Sequence, residues 1–188
     1  MSRIFDTAKA TISMFVSKLS ELFFKEKSKA TIQWTVEKFV AKDSKEIAEK
    51  GIKPYEVIKG KPHNCLLHEG ISTMLGLLCA IGSETAYSNA DARIGVGNDA
   101  TAPVDTQEGL LGASQLYKAM NTGYPQKSGD HDILFQGDFI SGEAEFDWLE
   151  ESIDNGLTAN KNLCRQNTNL GTKPTGQTWR LTGTITLT

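Results

Sequence analysis

The stretch Thr178-Trp179-Arg180-Leu181-Thr182-Gly183-Thr184-Ile185-Thr186-Leu187 decides the fold class of this protein. Large apolar side chains occupy every second position except Gly183, and Arg or Thr occupies the positions between them. A two-residue period places the apolar side chains on one face of a strand and the polar side chains on the other. The stretch therefore predicts a half-buried β-strand whose inner face contributes to a hydrophobic core.

Other short runs with the same period surround this strand. Residues 31–40 place Ile32, Trp34 and Val36 on one face, which predicts a second half-buried strand. From residue 83 onward, Gly, Thr, Asn and Asp separate further runs, as is typical of β-sandwiches and β-barrels. The remaining candidate strands are residues 92–96, 133–139, 144–149 and 163–165. Residues 105–120 fit either a helix interrupted by glycines or a long loop.

Two stretches carry helix signals. Asp43 followed by Glu46 has the spacing of a capping box, and Gly51 can end that helix in the left-handed conformation. Residues 64–81 are the most apolar stretch and predict a helix that stops near Gly82. Its buried side is predicted to consist of Leu67, Ile71, Met74, Leu75 and Leu78.

Residues 2–27 have a helical pattern of their own. Apolar residues follow the three-then-four spacing of a coiled-coil seam. The seam consists of Phe5, Ala8, Ile12, Phe15, Leu19 and Leu22. An isolated helix of this length is marginal in water, so it must pack against the chain's own body, against copies of itself or against another protein.

These patterns predict an α+β, mainly β protein, with an antiparallel β-sandwich or jelly-roll-like body that contains one apolar helix and follows a helical N-terminal arm. We assign residues 1–62 to the arm, including its strand and a linker, and residues 63–188 to the body. The arm has 13 basic and 8 acidic residues, the body 7 and 15, which gives net charges of +5 and −8. A basic arm and an acidic body suit packing of one subunit on the next, although two unrelated solvated surfaces would give the same charges.

The domain division makes a prediction about proteolysis. Residues 41–62 contain Gly51, Pro54, Gly60 and Pro62 and few apolar residues. Such segments are cut first by proteases, so we predict that the fragment from about residue 63 stays folded.

Composition limits the class of protein. Of the 188 residues, 39% are hydrophobic and 23% are charged, which is typical of a globular chain. We expect neither a secretory signal nor a membrane span, because no apolar stretch has the required length and flanks. The three cysteines, Cys65, Cys79 and Cys164, are widely spaced and are expected to be reduced and buried.

The stretch Gly95-Val96-Gly97-Asn98-Asp99-Ala100 matches the dinucleotide-binding pattern G-x-G-x-x-A. A helix should begin directly after it, but Pro103 disfavours a helix there. We therefore interpret the stretch as a strand that ends in a tight turn, with glycines where the backbone needs positive φ. No cofactor is expected.

Histidine and cysteine residues do not have the spacing of a zinc site. His63, Cys65 and His68 lie close together, and Asp130-His131-Asp132 is a second cluster, but neither supplies two ligand pairs. No metal is therefore expected. The common hydrolase motifs are missing as well, which favours a protein that is not an enzyme.

Glu143, Glu145 and Asp147 alternate with Ala144, Phe146 and Trp148. Paired carboxylates could serve a glycosidase or bind calcium. A strand with one solvated acidic face explains the same pattern without either function. This acidic face is also a candidate docking surface for a basic partner.

Residues 64–188 resemble small virion proteins of tailed bacteriophages in layout: an apolar helix, an Ile-Gly-Val-Gly turn, a Trp-containing acidic strand, a Gly-Thr-Lys turn and a terminal Thr-rich strand. The matching stretches are Asn64-Cys65-Leu66-Leu67-His68-Glu69-Gly70, Ala92-Arg93-Ile94-Gly95-Val96-Gly97-Asn98, Thr101-Ala102-Pro103, Phe146-Asp147-Trp148-Leu149-Glu150-Glu151, Gly171-Thr172-Lys173 and residues 179–187. None of these motifs is catalytic.

The resemblance implies a structural virion component, made in the host cytoplasm, that binds the major capsid protein or other virion subunits as a decoration or cement protein. A tail, neck or fibre component that binds a receptor is the alternative, and a wall or polysaccharide hydrolase is a distant third.

The seam predicts a homo-oligomer, with a trimer as the leading number. The predicted partner-binding residues are Phe5, Ile12, Phe15, Leu19, Leu22, Glu143, Glu145 and Asp147. Nucleic acid is not an expected partner, because the chain is acidic overall, and neither is a membrane.

Overall fold

A computed structural model of the chain describes residues 30–63, 66–156 and 158–187. Its elements, in chain order, are β1 (Ala30–Phe39), α1 (Ser44–Lys50), β2 (Glu56–Lys59), α2 (His68–Cys79), β3 (Arg93–Gly97), β4 (Gln115–Ala119), β5 (Gln126–Ser128), β6 (Asp132–Phe139), β7 (Asp147–Trp148), β8 (Glu150–Asp154), β9 (Asn162–Gln166), β10 (Gly171–Thr172) and β11 (Thr178–Leu187). The predicted helix over residues 2–27 lies outside the described residues.

The strands form antiparallel sheets. A five-stranded sheet has the order β2-β1-β11-β6-β5, a four-stranded sheet has the order β4-β3-β8-β9, and β10 pairs with β7. All of these pairings are antiparallel. The prediction of a mainly β, antiparallel protein is therefore confirmed.

Strand β11 is the centre of the five-stranded sheet. It pairs with β1 over ten residues, from Ala30 opposite Leu187 to Phe39 opposite Thr178, and with β6 on its other side. Gly183 interrupts the apolar alternation of β11 because a Cβ atom there would lie 2.7 Å from Cζ3 of the Trp34 ring. The glycine therefore makes room for a tryptophan of the neighbouring strand.

Both larger sheets contribute to one hydrophobic core. Trp148 packs at its centre, with its ring 4.7 Å from that of Phe139 and 4.9 Å from that of Trp179, edge to face in both cases. Its indole Nε1 donates to the carbonyl of Ala144 at 2.9 Å, which satisfies the polar atom of a buried side chain. The strand residues of the core are Ile32, Trp34, Val36, Ile94, Val96, Phe135, Phe139, Trp148, Ile153, Leu163, Cys164, Trp179, Leu181 and Ile185.

The predicted division at residue 63 needs correction. Strands β1 and β2 belong to the same sheet as β11, so residues 30–59 are part of the body. The alternation over residues 31–40 predicted a strand correctly, but it did not reveal a pairing partner that begins at Thr178, opposite Phe39. Residues 41–62 contain α1 and the edge strand β2 of the same sheet, and are not a linker between domains.

Helix α1 forms as its capping signals predicted. Asp43 Oδ1 accepts a hydrogen bond from the backbone N–H of Glu46 at 2.8 Å, and Gly51 ends the helix with φ 59°. The Glu46 carboxylate reaches back to the N–H of Lys42 at 2.8 Å. Two side-chain acceptors, Asp43 and Glu46, therefore satisfy backbone N–H groups at the N-terminal end of the helix.

The prediction for the buried side of α2 was right for Leu67, which is buried at the N-cap of the helix, and wrong for the other four residues. Within the helix, Gly70 and Thr73 face the protein, while Ile71, Met74, Leu75 and Leu78 are exposed. A Cβ atom on Gly70 would lie 2.5 Å from the carbonyl oxygen of Leu163. The helix thus lies so close to β9 that small residues form the contact.

Two further predictions were only partly right. In the stretch 144–149, only Asp147–Trp148 forms a strand. Residues 105–120 contain no helix and end in strand β4, which we did not predict. Of the two described helices, neither is both long and apolar enough to span a membrane.

Candidate functional site

Glu143, Glu145 and Asp147 lie at the turn before β7 and within β7, and the structure gives each carboxylate a local partner. Glu143 accepts hydrogen bonds from Lys118 Nζ at 2.6 Å and from the N–H of Ile140 at 3.0 Å. Asp147 accepts from the hydroxyl of Thr172 on β10. These contacts fix the turn against its neighbouring strands.

Glu145, like Asp147, is exposed to solvent. It accepts hydrogen bonds from the hydroxyl of Thr175 at 2.5 Å and from the N–H of Gly142 at 2.8 Å. Both bonds favour the charged carboxylate and hold the pKa of Glu145 below its ordinary value. Over the described part of the chain, no three or more His, Cys, Asp and Glu side chains are arranged to hold a metal ion.

The glycine-rich stretch after residue 94 forms the end of β3 and a turn, as predicted. Our reason for its glycines was wrong, because neither Gly95 nor Gly97 has positive φ. A Cβ atom on Gly95 would lie 2.5 Å from the Tyr117 ring, and one on Gly97 would lie 2.2 Å from Glu150 Oε1. The glycines let these two side chains cross the strand.

Glu150 and Arg165 form a fully buried ion pair on that face of the four-stranded sheet. The Arg165 Nε donates to Glu150 Oε2 at 2.7 Å, and both side chains have 0% exposure. Glu150 also accepts hydrogen bonds from the N–H groups of Leu111 and Gly112. The pair therefore anchors the long loop between β3 and β4 to the sheet.

The Arg165 guanidinium makes further contacts with the same loop. It donates at 3.0 Å to the carbonyl of Thr101 and to the side-chain oxygen of Gln107, and its Nη2 lies 3.3 Å from Asp99 Oδ1. Such a set satisfies both charges in a dry environment. Sequence reasoning missed this network entirely.

A second ion pair, in which Asp154 is fully buried and Arg93 is partly buried, lies on the same face. Arg93 Nε donates to Asp154 Oδ1 at 2.9 Å, and the guanidinium lies over the Tyr117 ring at 5.1 Å. The Tyr117 hydroxyl donates to the side-chain oxygen of Asn162 at 2.7 Å. Since each of these charges has a partner of opposite sign, the pair ties β3 to β8.

Glu151 is on the opposite, core-facing side of β8. Its side chain is fully buried, and neither carboxyl oxygen has a hydrogen-bond partner among the described residues. Burial disfavours the charged form and raises the pKa of Glu151 well above its ordinary value. The buried site therefore favours the neutral, protonated carboxyl over the carboxylate.

We expect Glu151→Gln to stabilise the protein at neutral pH. The unfolded chain releases the Glu151 proton near the ordinary pKa while the folded chain retains it, so stability falls as pH rises above that value. Glutamine has nearly the same shape and cannot ionise, which removes this fall. Urea unfolding at about pH 5 and about pH 8 should show a gain for the variant that is larger at the higher pH.

Glu145→Gln is the matched control for this measurement. The pKa of Glu145 is lowered by the hydrogen bonds from Thr175 and Gly142, so its carboxylate stabilises the fold above the ordinary pKa. That contribution is complete above the ordinary pKa, so the control should lose nearly the same stability at about pH 5 and at about pH 8. If Glu151→Gln followed the same trend, the proton on the buried carboxyl would be ruled out.

The two histidines of the first cluster make separate contacts. The backbone of His63 pairs with that of Ile32, through bonds of 2.8 and 3.0 Å, while Nε2 of His68 lies 3.2 Å from Asp105 Oδ2. Cys65 lies outside the described residues. Cys79 and Cys164 are free, and Cys79 is exposed, contrary to the prediction that the thiols are buried.

Helix α2 carries a row of uncovered apolar side chains. The outer ridge, which we define as Ile71, Leu75 and Leu78, points away from the protein. Leu75 is 57% exposed and Leu78 is 82% exposed. Large apolar side chains grouped in this way on an ordered helix are typical of a protein-binding surface.

A second apolar surface lies beside the ridge. We call it the end groove, a space of about 550 Å³ between α2 and the end of the five-stranded sheet. Its apolar lining includes Leu66, Met74, Leu77, Tyr87, Ile133, Phe135, Leu163, Ile185 and Leu187. Its polar lining consists of Gln126, Lys127, Asp130, His131 and Asp132.

The seam residues, from Phe5 to Leu22, lie outside the described residues. Of the predicted partner-binding residues, the structure therefore places only Glu143, Glu145 and Asp147. Searches of protein-family models, of curated proteins and of solved structures found no match to this chain.

Proposed function

We propose that this protein is a structural component of a tailed-bacteriophage particle that binds the capsid lattice as a decoration or cement protein. The layout of residues 64–188 supports the phage assignment by resemblance. The observation that carries the proposed mode of action is the outer ridge of α2, because it offers apolar surface to another subunit.

The outer ridge has the physical properties of a binding surface. Each Leu or Ile side chain that a partner buries contributes about 1.5–3 kcal/mol before ordering costs. Gly70 and Thr73 hold the helix directly against β9, so little ordering is required when the ridge is covered. The same surface could join copies of the chain, which is how the expected homo-oligomer would form.

A tail, neck or fibre component remains the alternative. The outer ridge suits either location, because it specifies an apolar partner and not the partner's place in the particle. Copy number separates the two: a decoration protein occurs in proportion to the capsid subunits, whereas a tail or neck part follows the symmetry of a single ring.

Leu78→Lys is expected to reduce incorporation into particles that lack this protein. Leu78 is the most exposed residue of the ridge, so the change should leave the fold intact, whereas a lysine at a buried interface should weaken binding by at least about tenfold. Ser72→Lys is the control, because Ser72 is also exposed on α2 but lies off the ridge. Bound copies per capsid subunit are counted by quantitative mass spectrometry.

The outcomes of this experiment are distinct. Binding in proportion to capsid subunits, lost in Leu78→Lys and kept in Ser72→Lys, supports the decoration role and the ridge. A few copies per particle would support the tail or neck alternative. Failure of the unaltered protein to bind would contradict the virion proposal, and equal binding of both variants would show that attachment does not use the ridge.

A further inference from the structure

We propose that the seam of this chain docks in the end groove of the same molecule. The groove and the outer ridge are different sides of α2. The inference therefore holds whether or not the ridge binds a virion subunit.

The end groove is an incompletely covered part of the hydrophobic core. Ile185 and Phe135 belong both to the core and to the groove lining. Leu187 and Ile133, which also line it, are 52% and 41% exposed. A groove of this volume is within the range of pockets that bury most of a ligand's surface. An apolar segment that filled it would complete the core at this end.

The chain itself leads to the groove. Ala30, the first described residue, pairs with Leu187 in the sheet, and Leu187 lines the groove. Residues 1–29 therefore join the body at the rim of the groove. Residues 23–29 separate the seam from Ala30 and can span up to about 23 Å when extended, compared with a length of about 18 Å for the twelve-residue α2.

Sequence and charge make the seam a suitable occupant. Its spacing places Phe5, Ile12, Phe15, Leu19 and Leu22 on one helix face. Residues 1–29 contain six basic and three acidic residues, and the polar lining of the groove contains Asp130 and Asp132 against one basic residue, Lys127. An apolar face with a net positive charge around it therefore complements an apolar groove whose polar edge has a small net negative charge.

The short connection favours the chain's own seam over that of a second copy. A segment tethered by about seven residues has an effective concentration in the millimolar range near its site. A free second copy would reach that concentration only in very concentrated solution. A docked seam cannot also form the trimer interface that we expected from it, so association would use the outer ridge.

Hydrogen exchange of the full chain tests the docking. Ile12→Asp with Leu19→Asp places two charges on the seam, and Ser13→Asp with Ser17→Asp adds the same charges off the seam. We expect the seam variant to exchange at least about tenfold faster than the unaltered chain in α2 and at the end of β11, and the control variant to remain unchanged. Amides of β3, remote from the groove, should not change in either variant.

A reciprocal change in the groove provides a second readout. Met74→Lys with Leu77→Lys should make residues 1–29 more sensitive to trypsin, since the seam would lose its binding site in the groove. The proposal is overturned if the seam variant exchanges like the unaltered chain. It is also overturned if protection of α2 disappears on dilution, because that result would assign the groove to a second copy.

Discussion

Removing residues 1–62 is expected to unfold the body, whereas removing residues 1–29 should leave it folded. The first deletion takes away β1, which pairs along its whole length with β11, and with it Ile32, Trp34 and Val36, all of which are fully or almost fully buried. Each of these side chains contributes about 1.5–3 kcal/mol by burial alone. Their combined loss is comparable with the total stability of a domain, about 5–15 kcal/mol.

Circular dichroism and urea unfolding of the fragments 63–188 and 30–188 check this expectation. The longer fragment should unfold in one cooperative transition, and the shorter one should show none. Trp34→Ala in the longer fragment is a milder variant of the same change and should cost about 3–5 kcal/mol. A cooperative transition for residues 63–188 would show that β11 is stable without β1 and would restore the domain boundary that the sequence predicted.

Local periodicity predicted strands β1, β6 and β11 well. In β1, β6 and β11, one face is buried and the other is solvated, so the sequence repeats every two residues. The terminal strand was predicted with its observed bounds, Thr178–Leu187. Strand β4, Gln115–Ala119, was missed because only intermediate or exposed side chains occur along it, so burial imposes little pattern.

Contacts between distant segments could not be predicted in the same way. The assignment of residues 41–62 to a linker rested on glycines, prolines and few apolar residues, which are equally compatible with a connection within one sheet. The buried side of α2 was misassigned because the large apolar side chains of the helix were assumed to be the buried ones. There the deciding factor is the close approach of Gly70 to the Leu163 backbone, which lies more than 90 residues further along the chain.

The buried charges were missed for a related reason. The stretch Glu150-Glu151-Ser152-Ile153-Asp154 has the composition of a solvated strand, yet all five residues are buried. A signal was present in the glycines at positions 95 and 97. Small residues at alternate positions of a strand leave space for side chains from its neighbours, here Tyr117 and Glu150.

Replacing Arg165 with Met is expected to cost about 3–5 kcal/mol of folding free energy. Methionine can fill much of the space, but it leaves the Glu150 carboxylate buried without its cation, as both side chains have 0% exposure. The variant also loses the hydrogen bonds to Thr101 and Gln107. Urea unfolding at neutral pH gives the change in free energy.

Two further variants show whether the unpaired charge of Glu150 causes the loss of stability in Arg165→Met. Lys45→Met removes an exposed partner of Glu49, 3.7 Å away, and should change stability little because solvent screens such pairs. Arg165→Met with Glu150→Met removes both buried charges and should recover much of the loss, since a well-packed apolar pair can replace a buried ion pair. If the double variant were less stable than Arg165→Met, the N–H groups of Leu111 and Gly112, left without Glu150 as acceptor, would matter more than the charge. The loop between β3 and β4 would then be held mainly by those backbone hydrogen bonds.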